Sequence, residues 1–365
     1  MSWLSSELQA IAALPPDRPM TMPGAFYTSK DRFRHEADTV LRRGWHCLGR
    51  IDEIPAPGDF FAVQLLNEPL IVVRQVDGDI VVLANVCRHR GMPLAEGRGN
   101  TKRFVCSYHA WAYDLDGGLM RAARMKNAAF DAKSCGLHRH NRVLWNGFIY
   151  VNLDSAAAPF DLPALNGLLT NYETESFRLA HVAEEVWNTN WKCLVENFME
   201  GYHLSVVHPQ TLHDYTPTGL ARKLAVGDGF TSYAANYPKN IPPRGLGAPN
   251  LTDDERLRST LFALFPTQVA SQAASLLVSL SIFPLSAGQI RVKWTLSTYG
   301  DDLDDDTIVA RIALWEKVNQ EDREKLERMQ IALGSQHAVS GPLAEDDYEG
   351  TIRDFQLWLA AQDRI

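Results

Sequence analysis

Between Trp45 and Leu153 the apolar positions come in short β-branched and aromatic runs: FFAVQLL, PLIVVRQ, DIVVLANV, RFVCSYH and FIYVNL. Turn signals such as Asp77-Gly78 and Asp116-Gly117-Gly118 separate them. Runs of residues that suit a pleated surface, broken by Asp-Gly pairs, predict antiparallel sheet joined by hairpins. The chain ahead of them predicts a helix, a Pro-rich loop, then a second amphipathic helix near Ser29 to Arg43. Ala156-Ala157-Ala158-Pro159 reads as a linker. Beyond it, strand-like runs (SLLVSLSIFP, QIRVKWTLSTY) mix with helical periodicity, clearest from Trp191 to His203 and from Asp306 to Leu333. Gly227 to Asp254, rich in Gly, Pro and Asn, predicts a long loop of the kind that acts as a lid or entrance. The expected organisation is a helical segment over residues 1–44, an all-β domain over 45–155 and a mixed domain over 156–365.

Composition narrows the function classes. A chain of 365 residues has material for two domains, and 45% hydrophobic with 22% charged residues is ordinary for a folded globular protein. A net charge of -8 argues against nucleic acid as the partner, because phosphate binding needs a basic surface. No run of eighteen apolar residues predicts a membrane span, and the first twenty residues lack the pattern of a secretory signal. Five cysteines, an odd and sparse set, fit reduced thiols and a cytoplasmic location.

The first chemical signal is CRHRGMPLAEGRGNTKRFVCSYH, from Cys87 to His109. It holds Cys87-x-His89 and Cys106-x2-His109, each at a turn between predicted strands. Sulfur with imidazole suits soft or borderline metals. A closed zinc tetrahedron is one reading. A [2Fe-2S] cluster is the other, with two cysteines on one iron and two histidines on the second. One thiolate and one imidazole from each of two loops is what the mixed-ligand cluster requires. Cys135-Gly136-Leu137-His138 repeats the Cys-x2-His spacing but has no matching partner loop, so it reads as packing.

The second signal is NWKCLVENFMEGYHLSVVHPQTLH, with Glu196, Asn197, Glu200, His203, His208 and His213. Two imidazoles and one carboxylate form the facial triad of non-haem iron sites. His203 and His208 are five apart, about 140° round an ideal helix, so a continuous helix would not aim them together. A π-type bulge or a helix end near Pro209 would bring them together. His208 and His213 have the same spacing, so spacing alone leaves the pair open.

Cys87-Arg88-His89 and Cys106-Ser107-Tyr108-His109, followed by Ala110-Trp111, resemble the Rieske family. Glu-Asn-Phe-Met-Glu-Gly-Tyr-His, then four residues and His208, resembles the mononuclear-iron segment of Rieske oxygenases. Ala110 stands where that family more often has glycine. The resemblance implies an α+β chain: an all-β Rieske domain, then an α+β catalytic domain whose antiparallel sheet is flanked by helices, with the N-terminal segment packed on it. It implies Cys87, His89, Cys106 and His109 as cluster ligands, and His203, His208 and Asp322 as ligands of a mononuclear Fe(II). Glu321 is the alternative acid, and Glu327 and Gln330 match the downstream glutamate and glutamine of the same helix. Glu200 matches the carboxylate that bridges an iron-ligand histidine to a cluster histidine, His109, of a neighbouring subunit.

Most relatives carry aspartate at that position. Glutamate resembles the branch acting on quaternary ammonium compounds such as carnitine, choline and betaines. The implied protein is a terminal oxygenase component, a homotrimer and a monooxygenase rather than a dioxygenase, using O2 on a small-molecule substrate. Electrons would come from NAD(P)H through a separate reductase, with or without a ferredoxin, since no Gly-x-Gly-x-x-Gly fingerprint follows a strand here. Oxidative N-demethylation or C–N cleavage is the expected reaction. Hydroxylation of an aromatic ring or aromatic carboxylate is the alternative, and a Rieske electron carrier without its own iron is the alternative from another class. Tyr202, Phe265, Phe283, Trp294 and Trp315 are the aromatic candidates for a cation cage.

Overall fold

The computed structural model describes residues 3–363. Residues 1, 2, 364 and 365, the outer ends of the first and third expected segments, lie outside them. Two compact units emerge. One joins the chain up to Cys47 with the chain from Pro159 onward; the other is Leu48–Ala158.

The Leu48–Ala158 unit is β-rich. Ile80–Ala84, Glu68–Arg74, Asp59–Leu65 and Arg98–Asn100 form one antiparallel sheet in that order. A small sheet of Phe104–Val105, Ala112–Tyr113 and Leu119–Arg121 lies next to the second cysteine. RFVCSYH was expected as a strand, but only Phe104 and Val105 pair, because the backbone of Cys106 turns back onto Trp111 instead. Ile71, Val73, Leu83, Phe104, Trp111 and Tyr113 pack with Cys87 and Cys106 in one buried cluster, which fixes the two loops on a rigid base.

The other unit is built on a seven-stranded antiparallel sheet. Its order is Phe177–Trp187, Gln289–Tyr299, Leu276–Ser286, Gln268–Gln272, Arg258–Leu264, Phe230–Asn236 and Ala221–Gly227. The run SLLVSLSIFP sits in its middle and is buried along its length, as a continuous apolar strand requires. The expected loop from Gly227 to Asp254 is shorter than read. Phe230–Asn236 is a strand paired on both sides, and Asp228-Gly229 makes the hairpin turn, with Gly229 at φ +85°. The Asp-Gly signal was present but lost among the later glycines and prolines. The amphipathic segment near Ser29 is helical without a break from Lys30 to Leu41, with its last five residues, Ala37–Leu41, wound as a π turn.

The long helix Asp305–Ala332 starts where Asp304 accepts the N–H of Thr307, with Asp305 and Asp306 against its positive end. Its buried residues are Trp315, Val318, Asn319, Asp322 and Leu326, one stripe at helical spacing. Asp322 therefore faces the interior and is not part of a solvated acidic face. Among the described residues, no helix is long and apolar enough to cross a membrane.

Candidate metal centres

The two cysteine loops share one construction. Gly91 donates its N–H to the carbonyl of Cys87, and Ala110 does the same to Cys106, each four residues on. The cysteine N–H groups then donate to Met92 and Trp111, each five residues on. Both fourth positions need the left-handed region, with φ +77° at Gly91 and +55° at Ala110. That explains the short, turn-rich sequence around each thiol.

The thiols of Cys87 and Cys106 are buried, His89 is half-buried and His109 is exposed. The two imidazole centroids lie 4.6 Å apart, and His89 stacks on Trp111 at 5.0 Å. Tyr113 Oη lies 3.4 Å from Cys87 Sγ and accepts the N–H of Arg88. Burial pushes the Cys106 thiol up, but the N–H groups of Tyr108 and His109 and the neighbouring Cys87 outweigh it. The net direction is down, toward the thiolate that binds metal. His89 Nδ1 is buried without a hydrogen-bond partner. Among the described residues these four donors do not close into a group of three within 4.8 Å, as ligands of one tetrahedral ion would.

The second site is assembled differently. Asn190 caps the helix Trp191–Phe198, its side chain accepting the N–H of Lys192. A helix running on to His203, with Glu200 and His203 on one face, was expected; it stops at Phe198 instead. Gly201 is a poor helix former, and the Glu200 carboxylate competes for the backbone by accepting the N–H groups of Tyr202 and His203. The same carboxylate pairs with His203 Nδ1. A one-turn helix, Leu204–Val207, then begins at His203 and ends at His208. The two histidines flank it, which solves the five-residue spacing by helix ends and needs no π-bulge.

Asp322 completes the group. His203, His208 and Asp322 offer donor atoms that all lie within 4.8 Å of one another. Asp322 Oδ1 is 3.1 Å from His208 Nε2 and 3.7 Å from His203 Nε2. His208 Nε2 is nevertheless buried without a hydrogen bond of acceptable geometry. An orphaned imidazole nitrogen beside a carboxylate and a second imidazole fits a metal ion. Burial pulls the His203 imidazole down, but Glu200 and then Asp322 outweigh it, so the net direction is up.

Glu321, the alternative acid, has another task. It lies 2.8 Å from His208 Nδ1 and accepts from Thr211 Oγ1, which fixes the ring and leaves Nε2 facing Asp322. Glu327 and Gln330 accept the N–H groups of Asn188 and Asn190, tying the long helix to the start of the Trp191–Phe198 helix. Asn197 was one of the polar residues of that segment, with no role assigned from sequence. Its amide nitrogen lies 3.4 Å from His203 Nε2 and 3.3 Å from Asp322 Oδ1. Glu196 bonds Tyr27, and burial raises its carboxyl to about 8.

Other candidates fall elsewhere. His213 is exposed and pairs with Ser205. Cys135 packs against the buried cluster of the β-rich unit, and the ring of His138 lies edge-on to His140. Phe265 packs on Phe355 and Trp358, Phe283 lies under Arg291, and Trp294 packs on His181, so these three are core. Tyr202 is exposed, and Trp315 alone of the five lines a small cavity in the sheet-and-helix unit.

A family model described as ring hydroxylating alpha subunit (catalytic domain) matches residues 170–363, and one described as Rieske [2Fe-2S] domain matches residues 44–136. The chain belongs to the Rieske ring-hydroxylating oxygenase alpha-subunit family. The carnitine monooxygenase oxygenase subunit of Escherichia coli (strain K12) is 33% identical over 200 residues, 53% of this chain and 54% of that protein. The matched chain thus spans about half the length of that relative. The glycine betaine monooxygenase oxygenase subunit of Pseudomonas aeruginosa (strain UCBPP-PA14) is 26% identical over 385 residues, 94% of this chain and 89% of that protein. In fold, the chain is similar to the quaternary ammonium Rieske monooxygenase CntA, solved with an inhibitor. The TM-score is 0.85 at 23% identity, covering 97% of this chain and 98% of that one. As a Rieske oxygenase alpha subunit, the chain has a [2Fe-2S] domain and a catalytic domain for mononuclear iron. The match to a catalytic domain sets aside the bare electron carrier, and the Rieske match sets aside the zinc module.

Proposed function

We propose that this protein is the terminal oxygenase component of a monooxygenase that oxidises a methyl group of a small quaternary ammonium compound. The observation that carries the reading is Glu200: a glutamate paired with His203 Nδ1, in a chain related to carnitine and glycine betaine monooxygenase subunits. In this reading residues 45–155 hold the cluster through Cys87, Cys106, His89 and His109. Residues 156–365, with 1–44 packed on them, hold iron through His203, His208 and Asp322. When bound, the cluster supplies single electrons and the Fe(II) supplies the site where O2 is reduced and a C–H bond is oxidised.

The protein's own part is orientation and proton bookkeeping. Glu200 and Glu321 hold protons on Nδ1 of His203 and His208, leaving both Nε2 lone pairs free for metal. Glu200 keeps lone pairs to spare after its contacts with Tyr202 and His203, enough to accept one further imidazole N–H. His109 is exposed, so it is free to supply that N–H from a neighbouring copy in a trimer. A separate NAD(P)H-dependent reductase completes the system. A hydroxylated N-methyl group collapses to formaldehyde and the demethylated amine.

The test is turnover with a reductase on a panel of trimethylammonium compounds and aromatic acids, with formaldehyde measured. Formaldehyde in step with substrate loss is expected. A hydroxylated aromatic product, with no formaldehyde from any ammonium compound, rejects the reading.

A further inference from the structure

Arg244 has no use in the site described so far. It is 5% exposed, and its Nε and Nη2 are buried without hydrogen-bond partners. Its guanidinium stacks on Tyr215 at 4.7 Å and on Tyr237 at 5.5 Å, while Arg311 lies 5.7 Å from the same Tyr215 ring. Among the described residues no carboxylate pairs with it. A buried cation without an anion is costly, and aromatic faces offset only part of that cost.

The position is built. Ser275 donates its N–H to the Arg244 carbonyl. Gly245, at φ +87°, lets the chain approach so closely that a Cβ there would meet Ser275 Oγ at 2.2 Å. Ser275 Oγ is in turn held by Asp302.

Arg244 lines a cavity of about 30 Å³ with Leu204, Leu212, Tyr233, Ser271 and Trp315 among its walls. Trp315 Nε1 is a third buried donor without a partner. About 10–15 Å³ on this measure holds one water, so the space suits two oxygen-sized atoms. Leu204 follows His203 directly, and Leu212 donates its N–H to the His208 carbonyl. Trp315 lies seven residues before Asp322 on the same buried stripe, about 10 Å along the axis.

We propose that Arg244, with the indole N–H of Trp315, is a specificity-determining anchor for a carboxylate on the substrate. The substrate is then a zwitterion, with its acid group in this cavity and its reacting methyl several bonds away at the histidines. This rests on the quaternary ammonium reading and sharpens it, since it favours ammonium carboxylates over ammonium alcohols.

Calorimetric titration of the metal-loaded chain with 4-trimethylammoniobutanoate, its methyl ester and benzoate tests it. The acid should bind at least about tenfold tighter than the ester, the worth of a charge-assisted hydrogen bond. Arg244→Gln should weaken the acid roughly ten- to a hundredfold, leave the ester unchanged, and leave the melting temperature level or higher. Trp315→Phe should weaken the acid severalfold, and its acid-to-ester ratio decides if the first variant does not fold. Equal weakening of acid and ester, with a lower melting temperature, overturns the anchor and makes Arg244 a spacer between tyrosines. Equal binding of acid and ester by the unmodified chain also overturns it, while the ammonium reading stands. Arg244-dependent binding of benzoate, with no ammonium compound bound, keeps the anchor and discards the ammonium reading. Failure of every carboxylate probe to bind overturns the anchor.

Discussion

The two proposed metal centres use the chain in opposite ways. All four cluster donors fall within Cys87–His109, on two loops that repeat one hydrogen-bond plan. The triad draws on residues 119 positions apart, from the two ends of a one-turn helix and the buried stripe of a long one. The first site depends on local turn chemistry over a small packed base. The second depends on two elements being locked together, which Glu327 and Gln330 do by accepting the N–H groups of Asn188 and Asn190. A local site should fail alone. A site assembled from distant elements should answer to residues that never touch the metal.

The largest effects come from removing one ligand on each side. Cys106→Ala should abolish the visible absorbance of the cluster and lower iron from about three per chain to about one. Asp322→Ala should keep that absorbance and lower iron to about two. If either variant empties both sites, the independence of the two centres is wrong. Metal analysis with absorption spectroscopy decides. Next is Glu200→Gln, which should keep both centres loaded yet cut turnover by roughly a hundredfold or more. Near-normal turnover would remove Glu200 from the coupling of the two regions.

A smaller effect concerns pH and is confined to the second region. The Glu196 carboxyl sits at about 8 in the fold against 4.5 for the free group, because burial favours its neutral form. Its contribution to stability is therefore complete below about pH 4.5 and is lost as pH rises through about 8. Glu196→Gln cannot ionise. Melting temperatures taken from pH 5 to 9 should show the variant gaining on the unmodified chain as pH rises, with no change in cluster absorbance. A constant gap across that range would rule out the shifted carboxyl.

The smallest effect lies in the cluster loops. Ala110 holds φ +55°, where glycine has no steric penalty. Ala110→Gly should change stability by about 0–1 kcal/mol in the stabilising direction, relief of strain exceeding the added freedom of the unfolded chain. A clear loss in denaturant midpoint would show that the Ala110 methyl group packs usefully against the loop.

These contrasts also divide what could be read without a structure. Cys87, His89, Cys106 and His109 stood out because turn chemistry and ligand spacing are local properties, written within a few residues of each other. His203 and His208 were legible only through resemblance, since five-residue spacing on a regular helix points them apart. Gly201 and the Glu200 carboxylate end that helix early, through hydrogen bonds that periodicity does not register.

By itself, then, the sequence determined the antiparallel runs, the main helices and the identity of the ligand-type residues, while the α+β layout came through the family resemblance. Backbone propensity and side-chain period act over short range, so they are visible in order of residues. Tertiary structure alone decided that Glu321 holds His208 beside Asp322, that Asn197 reaches both His203 and Asp322, and that Arg244 lies buried with no anion. Those outcomes depend on which elements pack together and which polar atoms find partners. Both are set by contacts between residues far apart in the chain.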